Sequence, residues 1–260
     1  MGTPVHVTVW DEADEDAPTV VMVHGTMTWG TASFEAQRPL ADRYRLLVMD
    51  RRGFGGSPDI NRSDYKVDAA DVVELLGDGA HLVGHSYGGV VAMLAAGSRP
   101  QAVHSLALIE PSAYRLAEHD PVVAAALERN RKSIGNLPED MTPEEFLRLS
   151  TESVGIAMPA PTPQRLRAVR TAMRERPSWE AEVPVEPLAS APWPKLVISG
   201  TWESASPDYR ALVGEALMAC ARIVAQRIGG TLQRVCGAAH DPHREQPEIV
   251  NTALRELWQG

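Results

Sequence analysis

Residues 84–88, GHSYG, have the spacing G-x-S-x-G, in which Ser86 is bracketed by two glycines. A short apolar run precedes them and a run of small residues with helical character follows them. On a tight strand-to-helix turn, a serine projects its hydroxyl above the sheet, and glycines on either side avoid a clash. The stretch therefore predicts a nucleophilic serine at residue 86.

A serine hydroxyl is a poor nucleophile at neutral pH, so it needs a base. Among the eight histidines of the chain, His240 occurs in GAAHDPH, directly after the last strand-like run. Loops at the carboxyl ends of parallel strands are where sites form in open α/β sheets. We therefore predict His240 as the base. We expect His243 at a helix start or on the surface, and His24 as a brace for its loop.

The base needs a carboxylate that orients it. Glu203 follows the strand-like run KLVISG, and the chain order serine, acid, histidine fits this type of site. Glu110, which ends another strand-like run, is the second candidate, and Asp208 is the third.

Developing negative charge on a substrate oxygen needs hydrogen-bond donors. The amides of Thr26, after the run TVVMV, and of Tyr87, after the serine, are predicted to supply them. Nearby loops carry Met27, Trp29 and Trp202, which are candidates for substrate contact.

These residues require a scaffold, and the apolar pattern predicts one. Seven short runs read as strands, at residues 5–10, 19–23, 44–50, 80–83, 105–109, 195–199 and 231–236. Most are continuous in Val, Leu and Ile and alternate with helical segments, which is typical of a parallel sheet buried on both faces. The predicted fold class is α/β.

The pattern changes between residues 111 and 194, where helical segments are separated by prolines and no strand-like run occurs. We predict a core formed by residues 1–110 and 195–260, with 111–194 inserted as a helical cap. The arginines of that segment have a spacing that suits a solvated helix face.

Composition excludes several classes of protein. The formal net charge of −9 repels phosphate backbones and anionic membranes, so we expect a small-molecule substrate rather than a nucleic acid or membrane partner. No apolar run is long enough to span a bilayer, and no signal peptide is evident, so we expect a cytoplasmic protein. The oligomeric state is not predicted.

The two cysteines imply neither a disulfide framework nor a zinc pattern, and we expect no metal and no cofactor. We expect both thiols to be buried. Cys236 lies four residues before His240, but it ends an apolar run without an exposing turn, so Ser86 is the preferred nucleophile.

Taken together, VVMVHGT, MDRRGFGGS, LVGHSYGGVVAMLAA, LALIEP, LVISGTWE and GAAHDPHREQPEIVNTAL resemble the capped serine hydrolases of the α/β-hydrolase superfamily. The resemblance implies that Ser86, Glu203 and His240 form a triad. It also implies that Asp50, Arg52, Gly53 and Ser57 brace the loop near the site. The family usually has Asp where this chain has Glu203, which keeps Glu110 open as the acid.

The expected activity is hydrolysis of a small ester, lactone or thioester through an acyl-enzyme. Two alternatives stay open. One is a non-hydrolytic enzyme on the same scaffold, such as a lyase, a cofactor-free oxygenase or a cyclase. The other is a ligand receptor in which the triad is vestigial.

Overall fold

The structure is a computed structural model that describes residues 3–14, 16–135, 138 and 140–259. Within that range seven strands form one sheet in the order β1-β3-β2-β4-β5-β6-β7. Their bounds are β1 Val7–Trp10, β2 Thr19–Val23, β3 Arg45–Met49, β4 Ala80–His85, β5 Val103–Ile109, β6 Lys195–Gly200 and β7 Thr231–Val235. Strand β1 is antiparallel to β3, and all other pairs are parallel. The predicted α/β class is confirmed.

Helices cover both faces of the sheet. Their bounds are α1 Gly30–Phe34, α2 Tyr65–Leu75, α3 Tyr87–Ser98, α4 Pro121–Gly135, α5 Pro143–Glu152, α6 Pro163–Ala172, α7 Val185–Ser190, α8 Pro207–Tyr209, α9 Glu215–Ile228, α10 Pro242–Glu245 and α11 Pro247–Gln259. A π-helical turn, Arg210–Gly214, joins α8 to α9.

The alternation of side chains along the strands explains why the sheet is buried on both sides. In β2, Val21 and Val23 belong to one apolar cluster, which packs against α2, α3 and α9. Their neighbours Val20 and Met22 belong to the other, which packs against α11 and Phe34. A strand buried on both faces has to be apolar at every position, which is the pattern that predicted it.

The segment between β5 and β6 contains α4 to α7 and, among its described residues, no strand. This agrees with the helical character predicted for residues 111–194. The division of the chain into a core and a cap stays a prediction.

Short elements were missed by the sequence analysis, namely α1, the following 3₁₀ helix Glu35–Asp42, α7 and α10. None is long enough to show a helical period. None of the helices in the described ranges combines the length and the apolar composition needed to cross a membrane. Cys220 is buried, whereas Cys236 is exposed, so the expectation of two buried thiols is wrong for Cys236.

Candidate active site

Ser86 forms the turn between β4 and α3. Its φ of 54° lies in the left-handed region, which residues other than glycine rarely adopt. A Cβ on Gly84 would lie 2.3 Å from the carbonyl oxygen of Gly88, and a Cβ on Gly88 would lie 2.1 Å from that of Val23. The two glycines are therefore required by close backbone contacts, and the tight turn holds the serine at the amino end of α3.

His240 lies in the loop between β7 and α10. Its Nε2 is 3.1 Å from the Oγ of Ser86, although the residues are 154 apart in sequence. Burial, together with the neighbouring His85, lowers the pKa of His240 to about 4. The imidazole is therefore neutral at pH 7 and can accept a proton from the serine. Its Nδ1 is buried and has no hydrogen-bond partner within the described residues.

The structure does not bring Glu203 to that nitrogen. The Glu203 side chain is exposed, and its Oε2 accepts a hydrogen bond from the Thr201 hydroxyl at 3.2 Å. The preceding residue, Trp202, is fully buried. Because the large indole occupies the buried position in this loop, the carboxylate next to it points to solvent.

Glu110, the second candidate, is fully buried directly after β5. Its Oε1 accepts hydrogen bonds from the amide of Gly200 at 2.7 Å and from the indole N–H of Trp202 at 3.3 Å. Its Oε2 is buried without a partner in the described chain. Burial raises the pKa of Glu110 to about 8. The third candidate, Asp208, is exposed in α8.

Backbone strain is concentrated around this site. In the described chain, the non-glycine residues with positive φ are Met27, Ser86, Glu110 and Trp202, with φ values of 55°, 54°, 47° and 60°. Each lies within four residues of the carboxyl end of one of the adjacent strands β2, β4, β5 and β6. Strained residues persist only where the surrounding structure enforces them, and they cluster at functional sites.

Thr26 and Tyr87, the expected oxyanion donors, flank Ser86 from the loop after β2 and from the start of α3. No loop or cap hydrogen bond in the described structure uses either backbone amide. The Thr26 hydroxyl instead donates to Oε2 of Glu175 at 2.6 Å. The two amides are thus available for a substrate oxygen.

A buried charge network beneath these residues was missed by the sequence analysis. Arg51 is fully buried and contacts Asp68 at 2.9 Å and Glu175 at 2.7 Å. It also donates to the carbonyl of Gly25 at 2.9 Å, and its guanidinium carbon lies 4.0 Å from the Tyr87 ring centroid. The sequence did hold a signal for this network, because Arg51 directly follows the buried strand predicted at residues 44–50.

The neighbouring residues predicted to brace this loop make structural contacts. Asp50 accepts hydrogen bonds from the amides of Gly30 at 2.7 Å and Gly56 at 2.8 Å. Arg52 forms two hydrogen bonds to Asp71, at 2.8 and 2.7 Å. The remaining expected residues are Gly53, with a φ of 82°, and Ser57, whose hydroxyl donates to the Asp50 carbonyl at 2.5 Å.

His24 has the geometry of a brace. Its Nδ1 lies 2.7 Å from the carbonyl oxygen of Gly25, and its Nε2 accepts from the amide of Arg51 at 3.0 Å. Both ring nitrogens are thereby occupied by backbone groups, which leaves neither for catalysis.

A cavity of about 240 Å³ opens onto Ser86. Its lining includes Thr26, Met27 and Tyr87 on one side and Phe146, Glu175 and Trp179 from the helical segment on the other. A larger groove, of about 730 Å³, lies along α5 and contains no candidate catalytic residue.

Of the three residues expected to contact substrate, Met27 lines the cavity. In the part of the chain that the structure describes, Trp29 and Trp202 do not. Trp29 stacks under the guanidinium of Arg165 at 5.3 Å, and Trp202 packs in the core against Tyr209, with ring centroids 5.0 Å apart. Trp202 is fully buried, which corrects the expectation of substrate contact for that residue. Substrate contact by the half-buried Trp29 stays a prediction.

Two further histidines lie against the site. His85 Nε2 is 2.9 Å from the carbonyl oxygen of His240, so this ring nitrogen can donate to the loop that carries the base. His243 is fully buried in α10, which corrects the alternative that it lies on the surface. Both histidines lie close to Asp241, an arrangement that the sequence analysis did not predict.

The fold agrees with that of the hydrolases that the sequence resembles, and comparison with known proteins gives the family. A model of the alpha/beta hydrolase family matches residues 20–253. The chain therefore belongs to the alpha/beta hydrolase family, a family of hydrolase enzymes.

Among curated relatives, the chain is 30% identical over 180 residues to the pimeloyl-(acyl-carrier protein) methyl ester esterase of Aeromonas hydrophila. That alignment covers 66% of this chain and 65% of the relative. The chain is also 38% identical over 112 residues to the 1-acylglycerol-3-phosphate O-acyltransferase of Arabidopsis thaliana, covering 39% of this chain and 27% of that protein. The chain thus spans less than two thirds of either relative.

Solved structures with a similar fold cover nearly the whole chain. A thermophilic esterase from Thermogutta terrifontis is 26% identical with a TM-score of 0.61, covering 98% of this chain and 93% of the other. The enol-lactonase from Burkholderia xenovorans has a TM-score of 0.64 at 20% identity, covering 98% and 96%, and that likeness concerns the fold alone.

Proposed function

We propose that the protein is a serine esterase that cleaves a small-molecule ester, lactone or thioester through an acyl-enzyme. The observation that carries the proposal is the 3.1 Å separation of Ser86 Oγ and His240 Nε2, with the serine held at a positive φ. A nucleophile within hydrogen-bond reach of a neutral base is the arrangement that acyl transfer requires.

In the first step His240 takes the Ser86 proton as the hydroxyl oxygen attacks the substrate carbonyl carbon. The amides of Thr26 and Tyr87 stabilise the oxyanion, each by about 3 kcal/mol of barrier. The protonated His240 then donates its proton to the leaving group. In the second step water, deprotonated by His240, attacks the acyl-enzyme. The protonated His240 then returns the proton to the Ser86 oxygen as the acid is released.

Two carboxylates are candidates for the acid that orients His240. Glu110 is supported by its burial, by its free Oε2 and by its link to Trp202, whose ring centroid is 6.0 Å from that of His240. Glu203 is supported by its position in the chain order of the family. Because an exposed carboxylate bonded to Thr201 is less suited to orient a buried imidazole, we assign the role to Glu110.

The cavity supports a small acyl group. A volume of about 240 Å³ is below the range of about 300–1,000 Å³ that drug-sized ligands occupy. Its wall includes the Glu175 carboxylate, so a neutral acyl group fits better than an anionic one. The methyl ester esterase and the thermophilic esterase among the similar proteins are consistent with an ester bond.

Turnover of p-nitrophenyl acetate and butyrate, followed by the initial burst of nitrophenolate, tests the proposal. Ser86→Ala and His240→Ala should each lower kcat by at least about 10³-fold, since they remove the nucleophile and the base. Ser98→Ala, an exposed serine at the other end of α3, is the matched control. A fluorophosphonate probe should label Ser86 in the wild type. Failure of both turnover and labelling would favour a non-hydrolytic enzyme or a receptor.

The acid is tested by a matched pair of isosteric changes. Glu110→Gln should lower kcat/KM by about 10²- to 10⁴-fold, and Glu203→Gln should leave it within about threefold. Circular dichroism of each variant confirms that the fold is kept. The opposite ranking would transfer the role to Glu203.

A further inference from the structure

Three residues beside the base converge in a way that the proposed hydrolysis does not use. One nitrogen each of His85 and His243 and one oxygen of Asp241 all lie within 4.8 Å of one another. We call these residues the His–Asp–His cluster. His85 precedes the nucleophile, and the other two follow His240 within α10 and its cap. No zinc spacing was evident in the sequence because the ligands come from two distant segments.

The distances within the cluster suit a small coordination sphere. Zinc binds imidazole nitrogen at about 2.0–2.1 Å, so neighbouring ligand atoms around a tetrahedral ion are about 3.4 Å apart. His85 Nε2 lies 3.4 Å from Asp241 Oδ1 and 2.9 Å from the carbonyl oxygen of His240. The histidine rings are themselves close, with centroids 4.4 Å apart. The ligand atoms lie within 4.8 Å of one another, so shortening the longest separations to about 3.4 Å would bring all of them onto one ion.

The hydrogen bonding of the cluster is incomplete without a ligand. The His243 side chain is fully buried, and its Nδ1 atom lacks a partner within the described residues. A buried polar atom without a partner is costly, and coordination by a cation satisfies it. The Nε2 of His243 lies 3.4 Å from the Ser33 hydroxyl. If this nitrogen carries the ring proton, the Nδ1 lone pair is free for a metal.

The side chains of the cluster also favour a cation. Two imidazoles and one carboxylate are a donor set that suits Zn²⁺ and similar divalent ions. Asp241 is 37% exposed, which gives an ion a route from solvent.

We infer that His85, Asp241 and His243 form a binding site for a divalent transition metal ion such as Zn²⁺, and that the bound ion inhibits the enzyme. Coordination through His85 Nε2 breaks its contact with the His240 carbonyl, which otherwise ties the base to the nucleophile turn. The inhibition rests on the proposed function, but the binding does not.

Binding is measured first, on protein without an affinity tag, by competition of Zn²⁺ with a chromogenic chelator and by the visible absorption of Co²⁺. The wild type should bind one ion per chain. Asp241→Asn and His243→Phe should each weaken binding at least about tenfold, since each removes one ligand.

Two controls separate this site from other ligands. His119→Ala removes an exposed histidine and Cys236→Ser an exposed thiol, and both should bind Zn²⁺ like the wild type. Equal affinity in the wild type and in both cluster variants would overturn the site. So would loss of binding in Cys236→Ser alone.

Inhibition is measured second. Zn²⁺ should slow p-nitrophenyl ester turnover at the concentration that fills the site, EDTA should restore it, and Asp241→Asn should need at least tenfold more Zn²⁺. If the cluster variants bind Zn²⁺ more weakly than the wild type but Zn²⁺ does not slow wild-type turnover, the inhibitory role is wrong and the binding site is still supported. If the protein has no esterase activity, the binding measurements still decide the site.

Discussion

The Glu175 carboxylate accepts a hydrogen bond of 2.6 Å from the Thr26 hydroxyl, across 149 residues of sequence. The other carboxylate oxygen contacts Arg51 at 2.7 Å. Glu175, from the helical segment, therefore links the loop that carries Thr26, a proposed oxyanion donor, to the buried guanidinium of Arg51.

This contact predicts that Glu175 positions Thr26. Glu175→Ala should lower kcat by about 10- to 100-fold, because a displaced oxyanion donor is costly. Glu175→Gln keeps an acceptor for the Thr26 hydroxyl, so its kcat should fall less than that of Glu175→Ala. Steady-state kinetics with p-nitrophenyl acetate measures both. Glu182→Ala, an exposed acid of the same segment, is the control, and equal rates for all three variants would refute the role.

Arg51 is expected to be important for stability. Arg51→Met leaves Asp68 and Glu175 buried without their cation, which typically costs about 3–5 kcal/mol. Urea unfolding should show a lower midpoint. Lys132→Met removes an exposed partner of Glu128 and should cause no measurable change. An unchanged midpoint in Arg51→Met would mean that the network contributes little.

Gly88 has no room for a side chain. A Cβ there would lie 2.1 Å from the Val23 carbonyl oxygen, so Gly88→Ala should disrupt the turn and abolish fluorophosphonate labelling of Ser86. Gly77 also has a positive φ, 52°, but nothing lies within 4 Å of its Cβ position. Gly77→Ala should cost only roughly 1–2 kcal/mol, seen in thermal melts, and should keep labelling. Normal labelling in Gly88→Ala would contradict the structure.

The pH dependence of kcat/KM distinguishes the two acids. Burial lowers the pKa of His240 to about 4, so protonation of the base should reduce the rate only near that pH. Burial raises the pKa of Glu110 to about 8, so an enzyme that needs the Glu110 carboxylate should gain activity as the pH rises through 8. Glu110→Gln should lose the upper step. A wild-type profile that is flat between pH 6 and 9 would argue against Glu110.

The raised pKa of Glu110 also predicts how the stability of the fold changes with pH. An unfolded glutamate ionises near about 4.3, whereas buried Glu110 holds its proton up to about pH 8. The folded state binds more protons in this interval. The contribution of Glu110 to the free energy of unfolding is therefore fully present below the pKa of the unfolded glutamate and is lost as the pH rises through 8. Thermal melts at pH 5 and pH 9 should show a larger loss for the wild type than for Glu110→Gln. Parallel losses would contradict the assignment of the shift.

The sequence determined the strand order along the chain and the turn at Ser86. Strands buried on both faces have to be apolar throughout, and that pattern is visible without tertiary information. The predicted limits of 19–23 match β2, and those of the other six strands differ from the observed ends by one or two residues. The turn was predictable because backbone contacts exclude any side chain at Gly84 and Gly88.

Which side chains meet at the site was decided by the tertiary structure. Neighbouring loop residues compete for the same buried space, and in the loop after β6 the indole of Trp202 takes it and leaves Glu203 outside. The pairing of Arg51 with Glu175 joins segments whose spacing in the chain carries no pattern. A motif records contacts made within a few residues, whereas the direction of a loop side chain depends on what the rest of the fold packs against it.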